Sequence, residues 1–428
     1  MTKSIALRGA KYGVSGTDAG RGTGESVISY NGDYAIQIGA ANVSVDGFTI
    51  SNATGSAIRV MGSVAADGDV SGASIANNVI SGVAIGTGSG SDVSGVITLG
   101  VNAVTSSANG FSVTNNSIAA TGTIPNGTGV NGAIGVRAGA SNGGALSGTM
   151  TISGNRMTGP GSAVSNSAGI YMYGTVTAAA TISNNEFGDF RFAVQPQGTV
   201  VPSISGNTFK VGSATNAYDV ILQNGAAGFT LGANNYWGST AAIFAGTTNI
   251  GADISATAST FRGVALDAET NTPAQLFAIE DQISHKVDKN SRGFIRVKAG
   301  EVFVTNASAT SAAAANPAEN SLVNAVGAAS AGNTVNIEAG NYSFGAVTLD
   351  KVLTVNGAQP ETGSLGYSFT LGAADSVVLA GNAAINVDGN ESDNSVTVNS
   401  GANTVDGDAG IDTAVIAGNM SAISGSET

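Results

Sequence analysis

The sequence predicts an all-β solenoid, a fold in which short strands stack coil upon coil. Glycine accounts for 62 of the 428 residues without the Gly-X-Y period of collagen, and charged residues make up only 11%. A short phrase that ends in asparagine recurs along the first half of the chain. Apolar and polar residues alternate between its copies, as in strands with one buried face. Together these observations indicate many short strands joined by tight turns.

The recurring phrase consists of serine or threonine, an aliphatic residue, a small residue and then Asn-Asn or Gly-Asn, and its last copy is one residue longer. The copies end at six asparagines, namely Asn78, Asn116, Asn155, Asn185, Asn207 and Asn235. The closest two are 22 residues apart, which predicts coils of about 22 residues with loops inserted in the longer ones. An asparagine amide at a tight corner can bond its own turn and the asparagine one coil away. We therefore expect an asparagine ladder, with glycine beside it allowing left-handed corner geometry.

A second apolar segment lies between the copies of the phrase, at residues 35–38, 57–60, 96–99, 133–136 and 169–172. Its alternation has a period of two, which is typical of a strand. The pattern therefore predicts two strands per coil. A single coil cannot bury its apolar face alone, so the coils are expected to stack.

These coils resemble the right-handed parallel β-helix superfamily, in particular its pectate-lyase-like and copper-site-assembly (NosD-like) repeats. Residues 234–238, Asn-Asn-Tyr-Trp-Gly, resemble the closing coil of such repeats. The resemblance covers about residues 1–250 and implies an all-β, right-handed parallel β-helix solenoid. It implies no single activity, because this fold carries lyases, hydrolases, epimerases, adhesins and phage spikes.

Four segments are predicted along the chain. Residues 1–255 form the parallel β-helix, and residues 256–315 form a connector with a helix and a linker. Residues 316–378 begin a second, shorter β-helix with a capping helix, and residues 379–428 form a roll of short strands. The start of the chain parallels residues 350–358, which follow that capping helix. A cap for the first β-helix is therefore expected upstream or from a neighbouring molecule.

Two short helices are expected. Thr272-Pro273 predicts the start of the first, and its predicted apolar face consists of Leu276, Ile279, Ile283 and Val287. Asn316-Pro317 predicts the start of the second, with an asparagine cap followed by proline in the first turn. Its predicted apolar stripe consists of Leu322, Val323, Val326 and Ala329, and Gly332 is expected to end it.

The last fifty residues carry a nine-residue period, since Asn394, Asn403 and Asp412 are nine residues apart. Residues 407–413 resemble a degenerate calcium-binding nonapeptide of the RTX proteins. The resemblance implies Ca²⁺ as a cofactor, type I secretion, and a site formed by Asn403, Asp406, Asp408, Gly410 and Asp412. Only one copy keeps its aspartate, so the alternative is a metal-free continuation of the coil with asparagine ladders.

A carbohydrate-active enzyme needs clustered carboxylates on one groove. The densest charged cluster of the first β-helix consists of Glu186, Asp189 and Arg191. Arg156 and Glu186 each follow a ladder asparagine, so a cross-coil ion pair is the competing interpretation. His285 is the only histidine, and we expect it to be exposed on the connector helix. The sequence therefore favours a protein with no catalytic residues.

Charge limits the partners. The net charge is −13, which disfavours nucleic acid and anionic membranes. No apolar run approaches the roughly 20 residues of a membrane span, and no cysteine is present.

The sequence predicts a structural or adhesive protein of the bacterial surface or exterior: a stiff spacer, surface-layer, filament or adhesin component. Its expected partners are further copies of itself, stacked end to end, or a surface polysaccharide. The alternative is a carbohydrate-active relative (a lyase, hydrolase or epimerase) or a non-catalytic sugar binder. For a sugar binder, Tyr171, Tyr173 and Trp237 are the candidate stacking residues, although such aromatic residues usually serve packing.

Overall fold

The computed structural model describes residues 3–60, 69–83, 95–101, 109–120, 134–140, 146, 148–165, 167–173, 179–222, 228–246, 253–266, 269–308, 320–340, 347–357 and 367–416. The chain divides into two compact units, Met1–Leu266 and Asp267–Thr428. Both are built from short parallel strands, so the predicted all-β parallel solenoid is confirmed.

The first unit winds through three parallel sheets. Sheet A contains the described strands Ala6–Arg8, Ser44–Asp46, Ser74–Ala76, Phe111–Thr114, Thr149–Ser153, Ala179–Ser183, Ser203–Ser205 and Thr230–Leu231. Sheet B contains, within the described ranges, Ser26–Ser29, Phe48–Ser51, Val79–Ser81, Ser117–Ala119, Arg156–Thr158 and Glu186–Gly188. In this unit, sheet C contains Tyr34–Ile38, Ser56–Val60, Ile97–Val101, Ile134–Ala140, Ala168–Tyr173, Phe192–Pro196, Tyr218–Leu222 and Ile243–Ala245.

Each complete coil therefore contains three strands, and the predicted two strands per coil is wrong. The recurring phrase forms the strand of sheet A, and the second apolar segment forms the strand of sheet C. The strand of sheet B begins directly after the ladder asparagine, as Val79–Ser81 does after Asn78. Only Asn77 and Asn78 separate it from Ser74–Ala76, so the two strands look like one run in the sequence.

Later coils of the first unit contain shorter strands. These are Lys210–Val211, Ala214–Thr215, Tyr236–Trp237, Ile254–Ser255, Thr260–Phe261 and Val264–Ala265. Tyr236–Trp237 pairs in parallel with Thr260–Phe261, which extends the first unit beyond the predicted boundary at residue 255.

Aromatic rings form one column of the core in these coils. Phe187, Phe209, Trp237 and Phe261 stack with successive ring centroids 5.5, 4.7 and 5.8 Å apart. All four side chains are at most 1% exposed. Trp237 is thus a packing residue and does not belong to a surface patch.

The second unit winds between two parallel sheets. Sheet D consists of Glu301–Val304, Thr334–Ile337, Leu353–Gly357, Ser376–Gly381, Ser395–Val398 and Thr413–Ile416. Sheet E consists of Val347–Leu349, Tyr367–Leu371, Ile385–Asp388 and Thr404–Asp406. The first strand of sheet D lies within the segment predicted as the connector. Two further short strands, Ile283–Ser284 and Ile295–Arg296, precede it.

Helix α1 spans Pro273–Glu280 and begins as predicted, with Thr272 and Gln275 forming a capping box. Leu276 and Ile279 are buried on this helix. Ile283 and Val287 are also buried, but they lie beyond the end of the helix, which is shorter than predicted.

Helix α2 spans Ser321–Ala328 and buries Leu322 and Val326. Asn320 caps it by accepting hydrogen bonds from the backbone N–H groups of residues 322 and 323, and the predicted cap at Asn316 lies outside the described residues. The side chain of Val323 is 48% exposed, so its place in the predicted apolar stripe is wrong. Neither α1 nor α2 has the length and apolar character that a membrane-spanning helix needs.

Candidate functional site

The asparagine ladder is the dominant polar feature of the first unit, and its prediction is confirmed. From Asn116 onward, the side-chain oxygen of each ladder asparagine accepts two hydrogen bonds from the asparagine one coil earlier. The backbone N–H of that earlier asparagine donates at 2.9–3.1 Å, and its side-chain amide donates at 3.0–3.3 Å. The bonds run without interruption from Asn78 to Asn235. Phe48 extends the series by one coil, because its N–H donates to the side chain of Asn78 at 3.0 Å.

The ladder is saturated and closed to solvent. The six asparagines are at most 1% exposed, and each also donates to a backbone carbonyl of the sheet A strand one coil earlier at 2.8–3.0 Å. The residue before each ladder asparagine is in left-handed geometry, with φ between 55° and 67°. These residues are Asn77, Asn115, Gly154, Asn184, Gly206 and Asn234. A buried amide whose donors and acceptor are all used stabilises the corner and offers nothing to a ligand.

The charged cluster predicted around Glu186 resolves into separate contacts. Arg156 and Glu186 form a salt bridge of 3.0 Å between neighbouring strands of sheet B, and both side chains are nearly half exposed. The guanidinium of Arg191 lies 5.5 Å from the ring centroid of Phe192. Asp189 has a φ of 62°, and its backbone carbonyl accepts a 2.9 Å hydrogen bond from the N–H of Gly161, one coil earlier. The geometry matches the cross-coil ion pair that the sequence suggested as the alternative to a site.

Neutralising this ion pair is expected to change stability only slightly. Because both partners are nearly half exposed, the coupling energy between Arg156→Gln and Glu186→Gln should be below about 1 kcal/mol. It should fall further in high salt. A double-mutant cycle from urea unfolding measures it. A coupling several times larger that persists in salt would contradict the surface ion-pair interpretation.

The nine-residue period near the C-terminus is half a coil of the second unit. Successive nine-residue segments alternate between sheets D and E, so equivalent positions recur after 18 residues, as in the pairing of Val387 with Val405. Residues 389–394 and 407–412 therefore form consecutive turns at one edge, which we call the acidic edge. Residues 399–403 form a turn at the opposite edge.

The structure distributes the predicted calcium ligands over both edges. Asp408, Gly410 and Asp412 lie at the acidic edge, and Asp406 ends the strand that leads into it. Asn403 lies at the opposite edge and accepts from the N–H of residue 385 at 3.0 Å. At the acidic edge, Asp412 accepts from the backbone N–H of residue 394 at 2.9 Å, which repeats the geometry of the asparagine ladder.

The five predicted ligands do not all lie at one edge. Calcium takes six to eight oxygen ligands at about 2.3–2.6 Å. Asn403 and Asp412 are separated by the length of a short strand, so they cannot both bind one ion. One oxygen of Asp406 accepts from the N–H of residue 408, and one of Asp393 accepts from that of residue 411. Within the described ranges, no three carboxylate or imidazole side chains converge on a point.

A buried carboxylate that the sequence analysis missed lies in the first unit. Asp219 is fully buried on its strand of sheet C. Its Oδ2 accepts from the N–H groups of Gly238 and Ser239 at 2.9 and 3.1 Å, and its Oδ1 accepts from the amide of Asn216 at 3.2 Å. The only signal in the sequence is an aspartate within the apolar run Tyr-Asp-Val-Ile-Leu.

Burial favours the protonated form of Asp219. The hydroxyl of Ser239 contacts Oδ1 of Asp219 and also lies 2.8 Å from the carbonyl of Asn216. Burial raises the pKa of Asp219 to about 7, although its hydrogen bonds favour the ionised form. Asp219 therefore ties two coils together from a position closed to solvent.

The stability of the first unit is expected to fall as pH rises from about 4 to about 7. The folded chain keeps a proton on Asp219 that the unfolded chain releases near its ordinary pKa of 3.8. The contribution is thus present in full below pH 4 and is lost as pH rises through 7. Urea midpoints measured across this range test it. The Asp219→Asn variant should be less stable but should lack this component of the pH slope, and an unchanged slope would contradict the assignment.

His285 is fully buried, so its predicted exposure is wrong. Its Nδ1 accepts from the N–H of Ile295 at 3.1 Å, which leaves the ring proton on Nε2 for a 2.5 Å hydrogen bond to Glu280. The ring also stacks on Phe294 with centroids 5.1 Å apart. Burial raises the pKa of the Glu280 carboxyl. Because both side chains are at most 2% exposed, the pair has no access to a substrate in this structure.

Aromatic side chains form a small second cluster on sheet C. Tyr171 follows the buried Ile170, so the two side chains point to opposite faces of the sheet. Tyr171 belongs to a cluster with Phe192, and partly buried Tyr218 and Phe244 pack against it. The side chain of Tyr173, the third predicted stacking residue, lies outside the described residues.

Comparisons with protein-family models, with curated proteins and with solved structures find no match for this chain. The assignment of the fold therefore rests on its own strand pairing.

Proposed function

We propose that this chain is a rigid, non-catalytic structural module of a bacterial surface or secreted protein, serving as a stiff spacer or as a surface-layer, filament or adhesin component. We also propose that it is a distant member of the parallel β-helix superfamily. The observation that carries the proposal is the unbroken asparagine ladder, which links successive coils through saturated, buried hydrogen bonds. A solenoid held in this way resists bending and shear between its coils.

Mechanical unfolding tests this function. In single-molecule pulling from both ends, we expect the first unit to lose coils stepwise, because each coil contacts only its neighbours. Extension at low force without distinct steps would contradict a load-bearing role. A parallel assay should show no release of reducing ends or unsaturated products from acidic and neutral polysaccharides, and turnover of any of them would overturn the non-catalytic assignment.

Non-catalytic polysaccharide binding is the second candidate function. It is favoured by Tyr218 and Phe244, which pack against the second aromatic cluster of sheet C. Their partly buried rings lie edge to face with centroids 6.1 Å apart. Aromatic rings of this kind can stack on sugar rings. Substituting both by alanine should abolish binding to a responsive polysaccharide, whereas Phe187→Leu, at a buried core position, should leave binding unchanged.

We propose that the acidic edge functions without calcium, since its carboxylates serve as caps and as ladder acceptors. Millimolar calcium is then expected to leave the melting temperature of the second unit unchanged, because a ligand stabilises a fold only by binding it. The control is Asp412→Asn, because asparagine is the residue at the equivalent positions 394 and 403 of the other two nine-residue copies. A calcium-dependent rise in the natural protein that this variant loses would restore the calcium hypothesis.

A further inference from the structure

Residues 9–25 form a long excursion between two strands of the first unit, and we call this segment the strap. It joins Ala6–Arg8 of sheet A to Ser26–Ser29 of sheet B. In the coils that follow, the same corner between sheets A and B takes only one or two residues, such as Gly47 alone. The corner itself therefore does not require a segment of this length.

The strap runs along the line of these corners and reaches three of them in succession. At each one it donates a hydrogen bond to the carbonyl of the residue in left-handed geometry. The three pairs are the N–H of Lys11 with the carbonyl of Gly47 at 3.3 Å, the guanidinium of Arg21 with that of Asn77 at 2.8 Å, and the N–H of Gly16 with that of Asn115 at 2.8 Å. The strap thus ties three coils together from outside the core.

The middle corner is shielded by the strap. Asn77 is 8% exposed, whereas Asn184, the equivalent residue two coils beyond the last contact of the strap, is exposed. Gly16 lies directly against the backbone, because a Cβ at this position would stand 2.2 Å from the carbonyl oxygen of Asn78. Glycine permits this approach, and the strap packs as closely as a neighbouring coil.

One side chain fastens the strap. Arg21 is only 8% exposed, and its guanidinium donates to the two oxygens of Glu25 at 2.6 and 3.1 Å. The same guanidinium also donates to the carbonyls of Val14 and Asn77. Arg21 therefore joins the beginning of the strap, its end and the corner beneath it. A bidentate pair of arginine and carboxylate is among the stronger side-chain hydrogen bonds, and it requires the carboxylate to be ionised.

The surroundings of Glu25 favour its ionised form. The hydrogen bond from Arg21 lowers the pKa of the Glu25 carboxyl against a smaller opposing effect of desolvation, and Thr49 and Lys11 lower this pKa further. A lowered pKa means that the contact contributes fully above the ordinary pKa of 4.5. The contribution is lost as pH falls through the lowered value.

Two aspartates lie in the same region, and each has a different partner. Asp18 accepts from the N–H of Gly20 at 2.8 Å within the strap. Asp46 accepts from the N–H of Gly13 at 3.1 Å and from the amide of Asn77 at 2.9 Å. Because both carboxylates can also take up protons in acid, a variant of Glu25 is needed to separate its effect from theirs.

We propose that the strap is a pH-sensitive flap, closed by Arg21 on Glu25 and released when Glu25 takes up a proton. A protonated carboxyl carries no charge and no longer offers two equal acceptor oxygens to the guanidinium. Release would uncover the corner at Asn77. The asparagine ladder beneath should stay intact, because its bonds join asparagines of successive coils and do not pass through the strap. The flap would operate whether or not the chain bears load, so it does not depend on the function proposed above.

Hydrogen exchange of the whole chain tests the flap. Mass spectrometry between about pH 3 and 7, corrected for the intrinsic exchange rate at each pH, gives the opening constant of the strap. Glu25→Gln replaces the carboxylate by a neutral group of the same shape, so it should raise this constant at pH 7 by about tenfold or more. In the natural protein the constant should rise as pH falls below 4.5. The variant should lack this rise.

A matched control removes a carboxylate elsewhere on the first unit. Glu186→Gln neutralises the exposed partner of Arg156 and should leave exchange of the strap unchanged. The strand Ala179–Ser183, beyond the strap, reports whether the coils themselves open. Equal protection of the strap in the natural protein and in Glu25→Gln at pH 7 would overturn the proposal. An acid-induced opening that persists in Glu25→Gln would overturn it too, and so would a matching loss of protection in the strand beyond the strap.

Discussion

Replacing Asn185 by alanine is expected to lower the free energy of unfolding of the first unit by about 3–5 kcal/mol. The oxygen of Asn185 accepts from the backbone N–H and the amide of Asn155, and its amide donates to Ile152 and Asn207. Alanine leaves these groups buried and unpaired. Each unpaired group costs about 1–3 kcal/mol, and the costs are not additive because the neighbouring coils can adjust.

The preceding residue provides a control within the same dipeptide. Asn184 is exposed and holds a φ of 55°, and glycine occupies the equivalent position before Asn155 and Asn207. Asn184→Gly should therefore change stability by less than about 0.5 kcal/mol. Chemical denaturation of the first unit, followed by circular dichroism, measures both variants. Equal and small losses would show that the ladder does not hold the coils together.

The ladder could be predicted from the sequence because its cause is local. A corner with one left-handed residue and one buried amide admits few residue types, so Asn-Asn or Gly-Asn recurs wherever the chain makes that corner. The strand of sheet B could not be separated by the same reasoning. It starts directly after the asparagine and is often three residues long, too short for its alternation to be recognised.

Long-range packing explains the other differences. His285 was expected on an exposed helix, but helix α1 ends at Glu280 and the chain folds back to bury the histidine against Phe294. Asp219 gave no periodic signal, because its partners Asn216 and Ser239 come together only when coils stack. Asn403 and Asp412 are one nine-residue period apart but lie at opposite edges, because each nine-residue step crosses from one sheet to the other. Such pairings depend on the number of strands per coil.

Replacing Trp237 by alanine is expected to destabilise the first unit by about 3–5 kcal/mol. The indole lies between Phe209 and Phe261 in the aromatic column and is nearly parallel to Phe209, with an angle of 4° between the rings. Alanine leaves a gap between two rings that are fixed by their own strands, so the core can close it only in part. Thermal and chemical unfolding of the variant measure the loss.

Trp237→Phe distinguishes the contribution of ring stacking from that of the larger volume and the N–H group of the indole. Phenylalanine is the residue at the other three positions of the column, so it should preserve the stack. The indole Nε1–H is buried and has no hydrogen-bond acceptor among the described residues, and phenylalanine removes this unpaired donor. Removing the unpaired donor stabilises the fold and offsets the packing contacts that the smaller ring loses. The free energy of unfolding of the variant should therefore stay within about 1 kcal/mol of that of the natural protein. A loss as large as that of alanine would mean that the volume of the indole, not the stacked column, stabilises these coils.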